Sequence, residues 1–310
     1  MKKILFTCVF VSFILYACFN PSLVVEASKS GILIWFGQIL PALLPFTIIS
    51  SILLKSNFLD SFKGNSNIIA IIITMVCGFV FGFPIGAKLS SDFYKNKILT
   101  EKQATLLAIT TNNFSPMYVC GFSLPLLFGT NLYDSITYIL LYLFPLILVT
   151  IYLTATYMRE STLLHNNASN KQVDTSPVFH LNMRLLDESI IAGFVSLIKI
   201  CGYIVFFSII VQMITNLWTN PPAIGTLLLN NLEITNGIQN IAHNTLSEET
   251  NYILAIQLLS FGGLSGLAQT ASLLEPSRLS TYKYIIGKVI LSLFLTLLSV
   301  IYVSYFILQL

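Results

Sequence analysis

Apolar runs long enough to cross about 30 Å of hydrocarbon recur along the chain, at residues 4–19, 31–54, 135–157, 189–218 and 284–309. A chain with this pattern has to bury much of its helical surface in lipid. The remaining composition agrees: of 310 residues, 55% are hydrophobic and 9% charged, with a mean hydropathy of +0.81. That leaves too little polar surface to cover a water-soluble globule, so the sequence predicts an all-α polytopic membrane protein with the lipid bilayer as a partner. The formal net charge of +3 is too small to suggest nucleic acid.

Lys2-Lys3 before an apolar run and Val25-Glu26-Ala27-Ser28 after it have the layout of a signal peptide, and Leu15-Tyr16-Ala17-Cys18 hints at a lipoprotein box. The length of the run and the bulk of Tyr16 favour an uncleaved N-terminal transmembrane helix over residues 1–24; the sequence does not decide whether residues 1–28 are removed. Cys8, Cys18, Cys77, Cys120 and Cys201 fall in apolar segments without paired spacing. They read as packing thiols, with neither a disulfide nor a metal site.

The charges give a topology. With a cytoplasmic N-terminus, a return crossing at 31–54 and a dip at 67–97, Lys55, Lys63, Lys95, Lys97 and Lys102 share a side with Lys2 and Lys3. An outward crossing at 100–128 and an inward one at 135–157 place the polar loop 158–184, with Arg159, Lys171 and Arg184, on that side too. A second dip at 222–245 then enters from outside, and a final inward crossing leaves Arg278 and Lys283 in the cytoplasm, with Lys29 the exception. This is the bias of the positive-inside rule. Residues 185–199, with Asp187, Glu188 and Lys199, read as partly interfacial.

The halves also match each other. LTEKQATLLAITTNNF at 99–114 aligns without gaps on LSEETNYILAIQLLSF at 246–261, and PFTIISSILL at 45–54 has the character of GYIVFFSIIV at 202–211. Two repeats follow, 25–157 and 185–310, joined by the cytoplasmic linker 158–184. Under the topology above they face opposite ways. The expected architecture is an inverted repeat, each half a crossing helix, a re-entrant hairpin, a broken helix and a crossing helix, as in many secondary transporters.

Four interruptions carry the chemistry. Residues 67–82 span about 24 Å as a helix, short of a crossing, and Gly82-Phe83-Pro84-Ile85-Gly86 reverses the chain into a return half-helix. Lys88, one turn into that half-helix and near its N-terminus, is the expected anion site; its alternative is to snorkel to the interface. The second hairpin carries Glu233-Ile234-Thr235-Asn236-Gly237 at its turn. Glu233 there can hold a coupling proton or a sodium ion, or pair with Lys88; as part of an external loop it would simply be solvated. The broken helices have gaps at 111–116 and 260–265, where Asn112, Asn113, Ser115, Ser260 and Ser265 offer hydrogen bonds beside freed backbone groups, Gly262 and Gly263 open the ladder, and Gln269 faces the same space one turn on. His165, His180 and His243 show no metal spacing and no activated nucleophile stands out, so no enzyme and no cofactor are expected.

Together LPALLPFTIISSILL, GFPIGAKLSSDFY, NNFSPMY, LEITNG and LSFGGLSGLAQTAS resemble the YlbJ (SpoVV) type of sporulation integral membrane protein, a family with paired nucleoside-recognition, or Gate, domains. The resemblance covers most of the chain after residue 25. It implies a fold similar to concentrative nucleoside transporters, with solute held between two hairpin tips and two unwound helices, and suggests a homo-oligomer. It also implies movement of dipicolinic acid across the outer forespore membrane of an endospore-forming bacterium. Motif by motif it points to Pro84, Gly86, Lys88, Asn112, Asn113, Ser115 and Pro116 in the first half. In the second it points to Glu233, Thr235, Asn236, Gly237, Ser260, Gly262, Gly263, Ser265 and Gln269. The bulky Phe83 departs from the family pattern. The resulting expectation is a secondary transporter or permease of a small anionic solute, dipicolinate first. The alternatives are a nucleoside transporter of the same fold and a non-transporting membrane scaffold of sporulation.

Overall fold

The computed structural model describes residues 2–56, 66–129, 134–161, 182–218 and 221–307; Lys63, Lys171, His165 and His180 lie outside them. Every regular element among the described residues is helical. Helix α1 (Lys2–Phe19) meets α2 (Pro21–Ile34) at a bend of 102°. From α2 the chain passes through a π-helical turn into α3 (Leu40–Lys55), one long helix over 21–55. α4 (Ser66–Phe81) and α5 (Ile85–Lys95) form a hairpin. Next comes α6 (Glu101–Thr111), interrupted and then resumed as α7 (Pro116–Tyr118) and α8 (Leu124–Phe128), followed by α9 (Asp134–Tyr138) and α10 (Phe144–Ser161). The order then repeats: long α11 (Met183–Leu217), a hairpin of α12 (Ala223–Asn230) and α13 (Ile234–Ala242), broken α14 (Glu248–Phe261) and α15 (Gly263–Leu274), and long α16 (Thr281–Ile307).

Ser135–Ala155, Met183–Leu217, Glu248–Ser277 and Thr281–Tyr305 are long and apolar enough to cross a bilayer, and the bent pair at the N-terminus makes a fifth if it is one span. The segment 185–199 is part of the uninterrupted α11. By contrast α4, α12 and α13, at 16, 8 and 9 residues, reach only about 24, 12 and 14 Å at 1.5 Å per residue. The outward faces fit a lipid solvent: Ile191, Ile198 and Phe206 on α11 and Ile290, Leu293 and Ile301 on α16 are all exposed.

Three of the long segments carry a π-turn, and each has the same cause. The turns Trp35–Ile39, Val119–Ser123 and Ile139–Leu143 stand immediately before Leu40-Pro41, Leu124-Pro125 and Phe144-Pro145. A proline ring collides with the carbonyl four residues earlier and donates nothing to it. Widening the preceding turn relieves the collision, so the residue before each proline donates five residues back: Leu40 to Trp35, Leu124 to Val119 and Phe144 to Ile139. The helices therefore pass their prolines without breaking.

The broken helices start alike. Thr100 caps α6 in a reciprocal capping box with Gln103, and the Ser247 hydroxyl accepts from the Thr250 amide at the start of α14. Thr100 and Ser247 coincide in the alignment of the two halves. α11 packs along α2 and α3, where the Trp35 indole donates to the Leu197 carbonyl at 2.9 Å. α14 packs on α16, and α5 on α6.

At the first hairpin tip Gly82 has φ +68°, and a Cβ there would overlap the Ser115 backbone. Gly129 also has a positive φ, +62°, but open space around it. Gly129→Ala is expected to cost only the conformational term, on the order of 1 kcal/mol. Gly82→Ala should add the collision and lower the melting temperature in detergent by clearly more. Equal melting shifts for the two variants would contradict the close approach of tip and break.

Candidate functional site

Each hairpin tip is tied by its backbone to the break of the neighbouring broken helix. In the first half the Phe83 amide donates to the Asn113 carbonyl at 2.6 Å. In the second the Leu264 and Ser265 amides donate to the Asn231 and Leu232 carbonyls at 2.8 and 3.0 Å. Glycines make room: Gly86 lies against Thr111 at the first break, Gly263 against Asn231 and Ile234 of the second tip, and Gly237 against the Asn230 carbonyl on the other arm of its own hairpin. Pro84 precedes α5 as its N-cap residue, after a cis Phe83–Pro84 bond.

The two breaks are built differently. In the first, Asn112 to Ser115 separate α6 from α7, and the Ser115 hydroxyl restarts the helix by accepting from the Tyr118 amide at 3.2 Å, with Pro116 at the first helical position. The second is sharper than the sequence suggests. Gly262 at φ +90° and Gly263 at φ +69° turn the chain between α14 and α15, so Ser260 stays inside α14 and Ser265 inside α15. The second hairpin turn likewise lies earlier than expected. It falls at 231–233, and Thr235, Asn236 and Gly237 belong to the return helix. Glu233 is the cause: its carboxylate accepts from the Asn236 amide at 2.8 Å and from the Thr235 hydroxyl at 3.1 Å, capping α13.

All four interruptions border one cavity. Phe83 comes from the first tip, Phe114 and Ser115 from the first break, Glu233 and Thr235 from the second tip, and Gly262, Ser265 and Gln269 from the second broken helix. The long helices complete the lining with Ile39, Leu43, Ile200, Tyr203 and Ile204. One wall is aromatic: Phe83 packs on Phe114 with ring centroids 5.9 Å apart, and Phe114 stacks on Tyr118 at 4.8 Å. The bulky Phe83 thus has a place in the lining. The polar groups are the Glu233 carboxylate, 1% exposed, the Gln269 amide and the hydroxyls of Ser115, Thr235, Ser265, Tyr118 and Tyr203.

Of the residues expected from sequence, Ser115, Glu233, Thr235, Gly262, Ser265 and Gln269 line this space. Pro84, Gly86, Asn112, Asn113, Asn236, Gly237, Ser260 and Gly263 stand behind it and hold its walls. Asn112 donates to the hydroxyls of Thr270 and Tyr284, at 3.1 and 2.9 Å. Asn113 donates to the carbonyls of Thr110 and Leu141, both at 2.9 Å. Asn236 donates to the Ser208 hydroxyl of α11 at 2.6 Å. Lys88 is placed elsewhere. It points from the half-exposed face of α5, its side chain 41% exposed, and its ammonium lies 3.2 Å from the Asp92 carboxylate.

Sequence reasoning passed over Lys288. It lies within the last apolar run and is buried against both breaks, where it donates to the Asn113 side-chain oxygen at 2.8 Å and to the Ser260 carbonyl at 3.3 Å. The signal was present. Tyr284, Lys288 and Ser292 recur every four residues, a polar stripe on one face of an otherwise apolar helix. Ser292 donates to the Gln257 carbonyl at 3.0 Å and bonds the Ser260 hydroxyl at the same distance.

The cap at Glu233 is directly testable. Glu233→Gln keeps a side-chain oxygen for the Asn236 amide and should melt close to the wild type. Glu233→Ala loses the cap and is expected to cost about 1 kcal/mol or more. Equal stability of wild type and the alanine variant would show that the carboxylate does not hold this turn.

No family model matches the chain, and no solved structure matches it. Among curated proteins, a 113-residue stretch is 28% identical to the Sporulation integral membrane protein YlbJ of Bacillus subtilis (strain 168), covering 33% of this chain and 27% of that protein. The match spans about a quarter of the relative's length. With its long apolar helices, the chain is an integral membrane protein of several spans, similar over a third of its length to a sporulation integral membrane protein.

Proposed function

We propose that the protein is a secondary transporter or permease that holds a small planar solute between its two hairpin tips and its two broken helices. The observation that carries this reading is the convergence of all four interruptions on one cavity. Backbone left unpaired at membrane depth is tolerated only against protein or a wet space, and paired discontinuous helices are how secondary transporters build solute sites. On this reading the two halves are an inverted repeat, the short hairpins are re-entrant, and residues 158–184 form the cytoplasmic linker. Access alternates around the cavity.

The lining also suggests the solute. Phe83, Phe114 and Tyr118 give the lining an aromatic wall suited to packing against a ring, while helix starts at Ser115, Glu233 and Gly262 border the space and favour acceptor or acidic groups on it. A small aromatic anion fits these features, and dipicolinate is the first candidate given the similarity to a sporulation membrane protein. One observation favours a nucleoside instead. Among the described lining residues there is an acid, Glu233, and no basic side chain; a neutral ring with donors to a carboxylate and an amide would suit them. The non-transporting scaffold remains the reading in which cavity substitutions have no effect on solute movement.

Uptake of labelled dipicolinate and labelled uridine into proteoliposomes tests the proposal. Uptake of one of them, reduced about tenfold or more by Gln269→Ala or Ser265→Ala, is the expected result. Lys88→Ala should stay within about twofold, because a half-exposed pair of this kind contributes little. Unchanged uptake in the cavity variants, or none in the wild type for either probe, would count against the site.

A further inference from the structure

Lys288 belongs to none of the motifs that mark the cavity. It is 2% exposed, on the face of α16 that packs against α14. Its two acceptors, the Asn113 side-chain oxygen and the Ser260 carbonyl, are neutral. Among the described residues its ammonium has no carboxylate within ion-pairing distance.

The position of those acceptors gives the charge a purpose. Asn113 follows the last turn of α6, and Ser260 stands in the last turn of α14. The ammonium therefore meets the partially negative C-terminal ends of both broken helices. Asn113 and Ser260 also coincide in the ungapped alignment of the halves, so the lysine joins corresponding points of the two. Freed carbonyls and half-helix C-termini are the groups with which discontinuous helices of secondary transporters hold coupling cations. Here one such carbonyl, that of Ser260, and the side-chain amide oxygen of Asn113 just past the end of α6 are met by an ammonium bonded covalently to α16. Tyr284 and Ser292, one turn to either side, secure Asn112, Gln257 and Ser260 in the same stripe.

We infer that Lys288 is a tethered cation that clamps the two broken helices together at their C-terminal ends, so that the cavity forms without a bound sodium ion. The clamp is a property of the folded chain. Its consequence, sodium-independent solute movement, rests on the transport reading above.

Thermal unfolding of the purified full chain in detergent, in sodium chloride and in choline chloride at equal ionic strength, tests the clamp without any solute. The wild type should melt at the same temperature in both salts. Lys288→Ala should melt several degrees lower in choline and recover part of the loss when sodium is added, or propylammonium, which restores the atoms removed. A wild type stabilised by sodium overturns the inference, since an ion would then bind elsewhere; the buried Asn112 side-chain oxygen, which has no hydrogen-bond partner, is one place it could do so. Wild-type melting of Lys288→Ala in choline overturns it as well. If the alanine variant yields no folded protein, Lys288→Gln decides, because it keeps a donor and removes the charge: recovery with sodium supports the clamp, and wild-type melting in choline overturns it. Uptake by the wild type that is equal in the two salts, and reduced at least tenfold by Lys288→Ala, supports the consequence for transport. Sodium-dependent uptake overturns that consequence. Absence of uptake of either probe would count against the transport reading and leave the clamp to the melting data.

Discussion

Four places where the helical ladder stops leave buried backbone groups in need of partners, and the tips and breaks are arranged around pairing them. The solution is reciprocal. Each hairpin tip supplies or accepts the hydrogen bonds that the adjacent break lacks, through the Phe83 amide and Asn113 carbonyl in one half and the Leu264 amide and Asn231 carbonyl in the other. Glycine at 82, 86 and 263 is what lets the two backbones come so near. Asparagine and serine complete the pairing with side-chain groups, which is why these residues gather at 112–115 and at 260–265 while the surrounding helices stay apolar.

A broken helix also produces two ends of opposite polarity at the same depth. The structure separates their uses. Starts of resumed helices, at Ser115 and Gly262, border the cavity, while the ends of α6 and α14 meet Lys288 behind it. Glu233 does for α13 what Ser115 does for α7, but with a longer, acidic side chain. Acid and base are thus both buried, one at the cavity and one at the joint between the helices. Cross-half bonds from Asn112 to Thr270 and Tyr284 brace the same joint, and those from Ser91 to the Leu273 carbonyl and the Ser277 hydroxyl tie α5 to the far end of α15.

Much of this was legible in the sequence, for identifiable reasons. Gly82 and Pro84 mark a reversal with little ambiguity, and Thr100 and Ser247 announce helix starts through their caps. The second turn was placed too late because a glutamate cap is a weaker signal than serine or asparagine. The π-turns were not read, although Pro41, Pro125 and Pro145 would have pointed to them. Lys88 was assigned to the site because it lies beside a tip, but position along a half-helix does not say which face looks inward. Ile85, Gly86, Leu89, Ser90 and Phe93 take the buried face of α5, and the spacing of four between Lys88 and Asp92 was the available hint that these two face each other. Lys288 was hidden by the apolar average of its run, which a window of hydropathy cannot resolve into faces.

The two sides of the cavity are held in place by different kinds of force. On one side the tips and breaks are joined by hydrogen bonds, each with a direction and a length, beside the aromatic packing of Phe83, Phe114 and Tyr118. On the other, Ile39, Leu43, Ile200 and Ile204 of the long helices offer aliphatic surface, pinned to the tip region through polar contacts such as that of Ser208 with Asn236. Dispersion contacts can be exchanged one side chain at a time, whereas a hydrogen bond away from water has to be surrendered whole. If the two sides move against each other, as the proposed transport requires, the boundary between the polar unit and the aliphatic wall is where they would slip, once the Asn236–Ser208 bond is released. Friction along it would be set by the shapes of a few isoleucines and leucines, which makes the speed of any large motion tunable by substitutions that leave the cavity's chemistry untouched.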